Sequence, residues 1–170
     1  MSKSLQILLP VFNEASSIEK TLIEIHETLN EKINYEFIIS EDGSTDGTKD
    51  ILKSLSKKLP MNLISDTQRK FYSKAVIDGI KKASSDYLLI MDSDGQCDPL
   101  DILKFWNFRH DSDLINGYRE PRYDFAYRKF ISKVLLIPLV TKKSGWKPNP
   151  ESTYATDLKS FFFLFFSLKK

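Results

Sequence analysis

Short apolar runs alternate with segments of helical periodicity along the first 118 residues. The apolar runs predict five β-strands, at residues 5–11, 35–40, 62–65, 87–91 and 114–118. The periodic segments predict four helices, which follow Ser16, cover 45–59 and 71–83, and begin at Pro99. Ser16 and Glu19 have the spacing of a capping box, and Asp98 precedes Pro99 as an N-cap. Strands and helices that alternate in this way predict an α/β domain with a mostly parallel sheet.

Composition narrows the class of protein. The 170 residues suit one domain, and 41% hydrophobic residues are enough to build a core. A single cysteine, Cys97, excludes an internal disulfide framework and a cysteine-based zinc site. We find no secretory signal and no run of roughly 18 apolar residues that could span a bilayer. These features predict a cytoplasmic location.

The net charge of +2 conceals an uneven distribution of charge. Residues 1–118 carry 14 basic and 19 acidic side chains, whereas residues 119–170 carry 11 basic and 4 acidic ones. This contrast indicates either two different partners for the two parts or an ordinary solvated imbalance.

Polar clusters follow three of the predicted strands. They are residues 10–14 (Pro-Val-Phe-Asn-Glu), 41–48 (Glu-Asp-Gly-Ser-Thr-Asp-Gly-Thr) and 92–96 (Asp-Ser-Asp-Gly-Gln). In a parallel sheet all three clusters lie at the carboxyl edge, where α/β proteins bind ligands. We therefore expect the chemistry of this chain at that edge.

Asp92 and Asp94 form the most informative pair. Residues i and i+2 of an extended segment point the same way, so both carboxylates can approach one hard cation. Oxygen ligands suit Mg²⁺ or Mn²⁺, with substrate phosphates completing the coordination. The alternative is a turn in which the two aspartates accept local N–H groups. Two interpretations also stay open for Asp42 and Glu14. Asp42 either binds a ligand or forms part of a turn, and Glu14 either binds a ligand or favours the start of the first helix.

Taken together, the three clusters resemble the family 2 glycosyltransferases of the GT-A fold, a Rossmann-like architecture. The resemblance covers roughly residues 5–135. The form Asp-x-Asp-Gly-Gln, followed by Gly117-Tyr118-Arg119, is most similar to the branch that transfers sugars to polyprenyl phosphates, such as the dolichyl-phosphate mannose synthases. The resemblance to this family implies an inverting enzyme that uses a nucleotide-diphosphate sugar.

The resemblance also implies roles for individual residues. Those that would bind the nucleotide sugar are Pro10, Phe12, Glu14, Asp42 and Asp92. The metal, Mg²⁺ or Mn²⁺, would be held by Asp92, Asp94 and Gln96. Residues 71–76 depart from the Gly-Lys-Gly stretch that many members carry, so sugar and base contacts there are not carried over.

An acceptor phosphate is already anionic, so it needs a cationic cradle rather than a general base. The resemblance places Arg119, Arg128 and Ser132 near that phosphate. It also implies catalytic roles for the two arginines and for Asp92 and Asp94. A solvated basic helix face is the alternative, and we find no signature of nucleic-acid binding. Two other functions stay open: transfer to a sugar hydroxyl, and an inactive nucleotide-sugar binding module.

The domain prediction is a catalytic domain over 1–140, with a donor-binding part at 1–118 and the start of the acceptor side at 119–140. We find no resemblance to the family in residues 141–170, so we expect a non-native or flexible tail on a chain that is cut short or divergent. The amphipathic segment near 130–137 and the Phe-rich run 161–166 are candidates for peripheral contact with the cytoplasmic face of a membrane.

Overall fold

The computed structural model describes residues 5–111, 114–116 and 163–167. The strands are β1 (Leu5–Val11), β2 (Tyr35–Glu41), β3 (Met61–Ser65), β4 (Tyr87–Met91), β5 (Leu114–Asn116) and β6 (Phe163–Ser167). The helices are α1 (Ile18–Leu29), α2 (Thr48–Leu55), α3 (Tyr72–Lys82) and α4 (Pro99–Asn107).

These strands form one sheet in the order β3-β2-β1-β4-β6-β5. The first four are parallel to one another, which confirms the predicted α/β class. After β3 the chain returns past β1 to form β4, so β1 lies between β2 and β4. The change of direction opens a crevice at the carboxyl ends of β1 and β4.

The two faces of the sheet carry different numbers of helices. The main core joins one face to α1, α2 and α4, and its most deeply buried side chains include Ile7, Leu9, Leu22, Phe37, Leu52, Leu89 and Ile102. The second core is smaller, with Leu8, Ile38, Leu88 and Ile90 facing Val76 of α3. Strands that are buried on both faces read as continuous apolar runs, which is why β1 and β4 were recognisable in the sequence.

The sixth strand was not predicted. Residues 163–167 pair antiparallel with β4, from Tyr87 opposite Ser167 to Met91 opposite Phe163, and they also pair with β5. Residues 163–166 of the Phe-rich run, which we considered as a tail or a membrane contact, are therefore part of the sheet.

Helix starts differ from prediction where tertiary hydrogen bonds intervene. Helix α1 starts at Ile18 after Ser17, so the capping box at Ser16 is wrong; the Ser17 hydroxyl instead donates to the Glu14 carboxylate at 2.6 Å. Helix α2 is shorter than predicted at both ends: the residues before Thr48 belong to a loop, and the helix ends at Leu55 instead of residue 59. The start of α4 is confirmed, since the Asp98 carboxylate accepts the Leu100 N–H at 3.0 Å.

The longest helix in the described ranges, α1, has 12 residues. None of the helices there is long and apolar enough to cross a membrane.

Gly79 lets α3 pack closely against Leu8 of β1. A methyl group at this position would overlap the δ-methyl groups of Leu8, which is fully buried. We expect Gly79→Ala to lower the free energy of unfolding by about 1–3 kcal/mol, although alanine favours a helix by about 1 kcal/mol over glycine. Urea denaturation measures the change. Ser73→Ala, at an exposed position of the same helix, is the control; equal stability of the two variants would contradict close packing at Gly79.

Candidate functional site

A cavity of about 250 Å³ lies at the carboxyl edge of the parallel strands. Its lining comes from the ends of β1, β2 and β4 and from the segment that joins β3 to α3. The lining residues are Pro10, Val11, Phe12, Glu14, Asp42, Arg69, Tyr72, Ala75, Asp92, Ser93 and Asp94. The structure thus brings together every residue named from the sequence on these three strand ends except Gln96, which is exposed and outside the lining.

Ser93 fixes the aspartates on either side of it. Its hydroxyl is buried and donates to the Pro10 carbonyl at 2.9 Å, which ties the end of β4 to the end of β1. Asp92 and Asp94 both line the cavity, and so does Ser93 between them, because the chain bends at residues 93–95 instead of continuing as an extended strand. The spacing of the motif therefore serves both to anchor the loop and to aim two carboxylates at one space.

The charge on Asp92 is held in an unfavourable environment. Burial raises the pKa of Asp92, the negative charge of Asp94 raises it further, and a hydrogen bond from the Tyr72 hydroxyl at 3.3 Å opposes the rise. Burial and the neighbouring Asp92 charge raise the pKa of Tyr72 to about 12, so Tyr72 remains a hydrogen-bond donor at neutral pH. A cation placed between Asp92 and Asp94 would relieve their repulsion.

Asp94 also takes part in a local turn. One of its carboxylate oxygens, Oδ1, accepts the Gln96 backbone N–H at 3.0 Å, and Gly95 between them adopts a positive φ of 75°. The turn alternative is thus realised for Oδ1 of Asp94, while the carboxylate still borders the cavity.

Within residues 5–111, 114–116 and 163–167, no group of three or more His, Cys, Asp or Glu side chains could hold a metal ion. Asp92 and Asp94 supply two carboxylates, and this donor set fits a hard cation whose other ligands come from substrate and water.

Asp42 binds a neighbouring loop. It is 3% exposed, and its Oδ1 accepts the Lys70 backbone N–H at 2.5 Å. Gly43 has φ +76°, and a Cβ there would lie 2.8 Å from the backbone nitrogen of Arg69. The absence of a side chain at Gly43 therefore lets the segment before α3 pack directly against Asp42.

Side chains of the β2–α2 loop and of the first residue of α2 bind the backbone of the β1–α1 loop. The Ser44 hydroxyl accepts the Asn13 N–H, and the Thr48 hydroxyl accepts the Glu14 N–H, each at 2.9 Å. The Asp46 carboxylate accepts the Ala15 N–H at 3.0 Å and the Thr48 hydroxyl at 2.6 Å. These bonds occupy the side chains of Ser44, Asp46 and Thr48, and α2 begins after Gly47 without a side-chain cap.

Two of these hydrogen bonds also change the pKa of Asp46. The hydrogen bond from the Thr48 side chain, followed by that from the Ala15 backbone, lowers the pKa of Asp46. Glu41, which is fully buried at the end of β2, accepts the Ser44 N–H at 2.5 Å and the Ser65 hydroxyl at 2.9 Å. The polar residues of 41–48 thus hold three loops in place, and only Asp42 of this segment lines the cavity.

Arg69 and Tyr72 are cavity residues that the sequence interpretation missed. The Arg69 guanidinium lies 3.9 Å from the centre of the Phe12 ring and 5.0 Å from that of Phe71. Both residues follow β3, a parallel strand, so the rule that placed the other three clusters at this edge also applies to them. The predicted acceptor residues Arg119, Arg128 and Ser132 lie outside the described residues.

The chain matches the family model described as glycosyl transferase family 2 over residues 6–163. It is 34% identical over 134 residues to the dolichol-phosphate mannosyltransferase of Pyrococcus furiosus, which covers 75% of this chain and 38% of that protein. It is 26% identical over 150 residues to the undecaprenyl-phosphate 4-deoxy-4-formamido-L-arabinose transferase of Photorhabdus laumondii, covering 84% of this chain and 45% of that one. The chain therefore spans less than half the length of these curated relatives.

Solved structures share the architecture at lower identity. The mannosyltransferase PcManGT of Pyrobaculum calidifontis, in complex with GDP-Man and Mn²⁺, aligns with a TM-score of 0.62 and 21% identity over 72% of this chain and 37% of its own. Glucosyl-3-phosphoglycerate synthase of Mycobacterium tuberculosis, with Mn²⁺, UDP and phosphoglyceric acid, aligns with a TM-score of 0.66 and 16% identity over 97% and 56%. The parallel sheet and its helices have the GT-A fold of these enzymes, and the chain belongs to glycosyl transferase family 2.

Proposed function

We propose that this chain carries the donor site of an inverting glycosyltransferase that moves a sugar from a nucleotide-diphosphate sugar to a polyprenyl phosphate. The observation that carries the proposal is the single cavity where the ends of β1, β2 and β4 bring Phe12, Asp42, Asp92 and Asp94 together. The two curated relatives named above transfer sugars to polyprenyl phosphates, which supports this class of acceptor.

In this proposal the nucleoside occupies the part of the cavity nearer β2. Asp42 is buried, and a carboxylate only accepts hydrogen bonds, so Asp42 would accept one from an N–H of the base. Pro10, Phe12 and Glu14 form the wall beside the base and ribose, and Asp92 would accept a ribose hydroxyl.

Asp92 and Asp94 would hold Mg²⁺ or Mn²⁺ together with the donor diphosphate, with Gln96 as a further oxygen ligand. Such an ion stabilises the negative charge that develops on the leaving diphosphate. Ser93 and Tyr72 position the carboxylates through their bonds to Pro10 and Asp92, so the protein supplies the orientation before the donor arrives.

The acceptor phosphate would attack the anomeric carbon directly. A phosphate monoester is anionic at neutral pH and needs no proton removed, which suits a described cavity lining that contains no histidine. Arg119, Arg128 and Ser132 are proposed to bind this phosphate, and a membrane-bound acceptor would bring the chain to the cytoplasmic face of a membrane.

The transfer itself is the first test. With a nucleotide-diphosphate sugar and Mn²⁺, we expect the protein to form a sugar–phosphate–lipid product with a polyprenyl phosphate, and NMR should show the anomeric configuration inverted. Transfer to sugar hydroxyls only would favour glycan assembly instead. Nucleotide binding without transfer to any acceptor would favour a binding module.

Asp94→Ala tests the metal assignment. Loss of a partner that only orients a metal ligand already costs about 10–100-fold in metal affinity, so loss of a direct ligand should cost at least that. Calorimetry should therefore show Mn²⁺-dependent binding of the nucleoside diphosphate weakened to this extent. Asp50→Ala removes an exposed carboxylate on α2 and should bind as the wild type does; a fully active Asp94→Ala variant would overturn the assignment.

Asp92→Asn tests the electrostatic environment without substrate. A carboxyl whose pKa is raised in the folded state is stabilising when protonated and loses that contribution as pH rises through its folded pKa. The neutral asparagine avoids this loss, so metal-free Asp92→Asn should melt at a higher temperature than the wild type at pH 7. The difference should shrink as pH falls toward the usual aspartate value of about 3.9. Mn²⁺ with nucleotide should reverse the order; a variant less stable than the wild type at every pH would contradict this account.

A further inference from the structure

Exposed apolar side chains are concentrated on α3 and at its start. Six large apolar side chains are exposed in the part of the chain that the structure describes, and four of them lie within residues 71–80. Tyr72 is one of the four and lines the cavity; the others are Phe71, Ile77 and Ile80. Single apolar residues on a surface are ordinary, whereas a group of them on one helix indicates a surface that contacts a partner.

The two isoleucines lie on the side of α3 that points away from the sheet. Ala75 and Gly79 form the buried side of this helix. At about 3.6 residues per turn, Ile77 lies opposite these two residues, and Ile80 lies next to Ile77. The isoleucines are 47% and 41% exposed, so this outer side of α3 presents neighbouring apolar groups.

The same segment is basic, although the rest of this part of the chain is acidic. Residues 69–82 carry five basic side chains and one acidic side chain. The remaining residues of 1–118 carry nine basic and 18 acidic side chains. Positive charge is therefore concentrated around α3 on a domain that is otherwise negative, which favours an anionic partner at this helix.

Two lysines at the end of α3 are available to such a partner. Asp78 pairs with Lys70 and Lys74. Lys81 and Lys82 are exposed, and neither takes part in an ion pair between described residues. Apolar groups beside lysines are typical of a helix that lies on a membrane, because the lysines attract anionic headgroups while the apolar groups enter the layer below.

Phe71 has a backbone conformation that is costly for any residue with a side chain. Its φ of 69° and ψ of 159° lie in a region that is essentially restricted to glycine. The side chain is 64% exposed, and its ring lies 5.0 Å from the guanidinium of Arg69, which lines the cavity. Burial of this ring in a partner would explain why a strained phenylalanine stands beside the cavity.

We propose that the outer side of α3, together with Phe71, docks on the surface of a bilayer that contains anionic lipids. Phe71, Ile77 and Ile80 enter the boundary between headgroups and acyl chains. Lys81 and Lys82 stay beside the lipid phosphates, since their long side chains reach back to the headgroups.

Position and charge favour a membrane over other partners. Helix α3 begins at Tyr72, a cavity residue, so docking brings the cavity to the level of the headgroups. The phosphate of a lipid-linked acceptor lies at that level, and the choice of a membrane as the partner therefore rests on the proposed function. A second copy of this chain is disfavoured, because a two-fold contact on this side would bring the lysines of both copies together.

Sedimentation with lipid vesicles tests the proposal in the absence of donor and acceptor. The full chain should bind vesicles of phosphatidylcholine with phosphatidylglycerol more tightly than vesicles of phosphatidylcholine alone. Lys81→Gln with Lys82→Gln should weaken binding to the anionic vesicles about 25-fold, about fivefold for each lysine. Lys57 and Lys58 are an adjacent, exposed pair after α2, and their double glutamine variant should bind as the wild type does.

Ile77→Gln with Ile80→Gln tests the apolar part of the contact. Glutamine favours a helix at least as well as isoleucine does, so the loss should come from the contact alone. Binding to the anionic vesicles should weaken at least about tenfold, because two half-exposed apolar side chains no longer leave water. Ile23→Gln is the control and should bind as the wild type does, since Ile23 is also exposed but α1 carries three glutamates and one lysine.

Phe71→Gly separates the strain at this residue from its contact. Glycine accepts the backbone conformation, so the urea midpoint should not fall below that of the wild type. Vesicle binding should weaken, because the ring is lost. A variant that unfolds more readily and binds vesicles normally would show that the ring serves the fold instead.

Vesicle binding that all three α3 variants leave unchanged would overturn the proposal, because the membrane contact would then lie elsewhere in the chain. A wild-type chain that binds neither kind of vesicle would also overturn it. In that case, a dimer that Ile77→Gln with Ile80→Gln dissociates would assign the surface to a second copy, and binding of poly-glutamate would assign it to an acidic protein. These results spare the proposed function, which is judged by transfer to a polyprenyl phosphate in detergent.

Discussion

The parallel arrangement of the four strands β1, β2, β3 and β4 is the constraint on which the rest of the structure depends. Parallel strands must end on the same edge, so four separate loops are delivered to one place although they are far apart in sequence. Because β1 has β2 on one side and β4 on the other, the loops diverge around its carboxyl end. The cavity is the space left by that divergence.

The negative charges at this edge of the sheet lower the stability of the folded domain. Four carboxylates border a cavity of about 250 Å³, and burial together with Asp94 raises the pKa of Asp92. A folded domain would ordinarily disperse or pair such charges. Their retention is reasonable where a divalent cation and a nucleotide complete the set, because a ligand that binds only the folded state stabilises it. Rigid support comes from neighbouring polar residues, of which Ser93 and Glu41 are buried.

Much of the fold could be predicted because its signals are local. An apolar run buried on both faces identifies β1 and β4 at their observed bounds, and Asp98 with Pro99 identifies the start of α4. The strand at 163–167 was missed because its partner, β4, lies more than 70 residues away in sequence, and an apolar run does not name its partner. Ser16 was misread as a cap because the choice between Ser16 and Ser17 depends on Glu14, a contact outside the helix.

The site shows the same division. Asp42, Asp92 and Asp94 were found because they follow recognisable strands in recognisable order. Arg69 and Tyr72 follow β3, whose five residues include exposed positions and give a weaker pattern, so the edge rule was not applied there. The stack of Arg69 on Phe12 joins residues 57 positions apart, and no local periodicity encodes it.

The hydrogen bonds between the two loops after β1 and β2 have a consequence for how phosphate can be bound. Many nucleotide-binding folds hold phosphate on free backbone amides at the start of the helix that follows the first strand. Here three successive amides, at Asn13, Glu14 and Ala15, already donate to Ser44, Thr48 and Asp46. The approach to α1 is therefore closed to anions, and a carboxylate, Glu14, stands beside it. In the donor site proposed above, the charge of the diphosphate would therefore be neutralised by a bound cation, where phosphate-loop proteins rely on the peptide backbone.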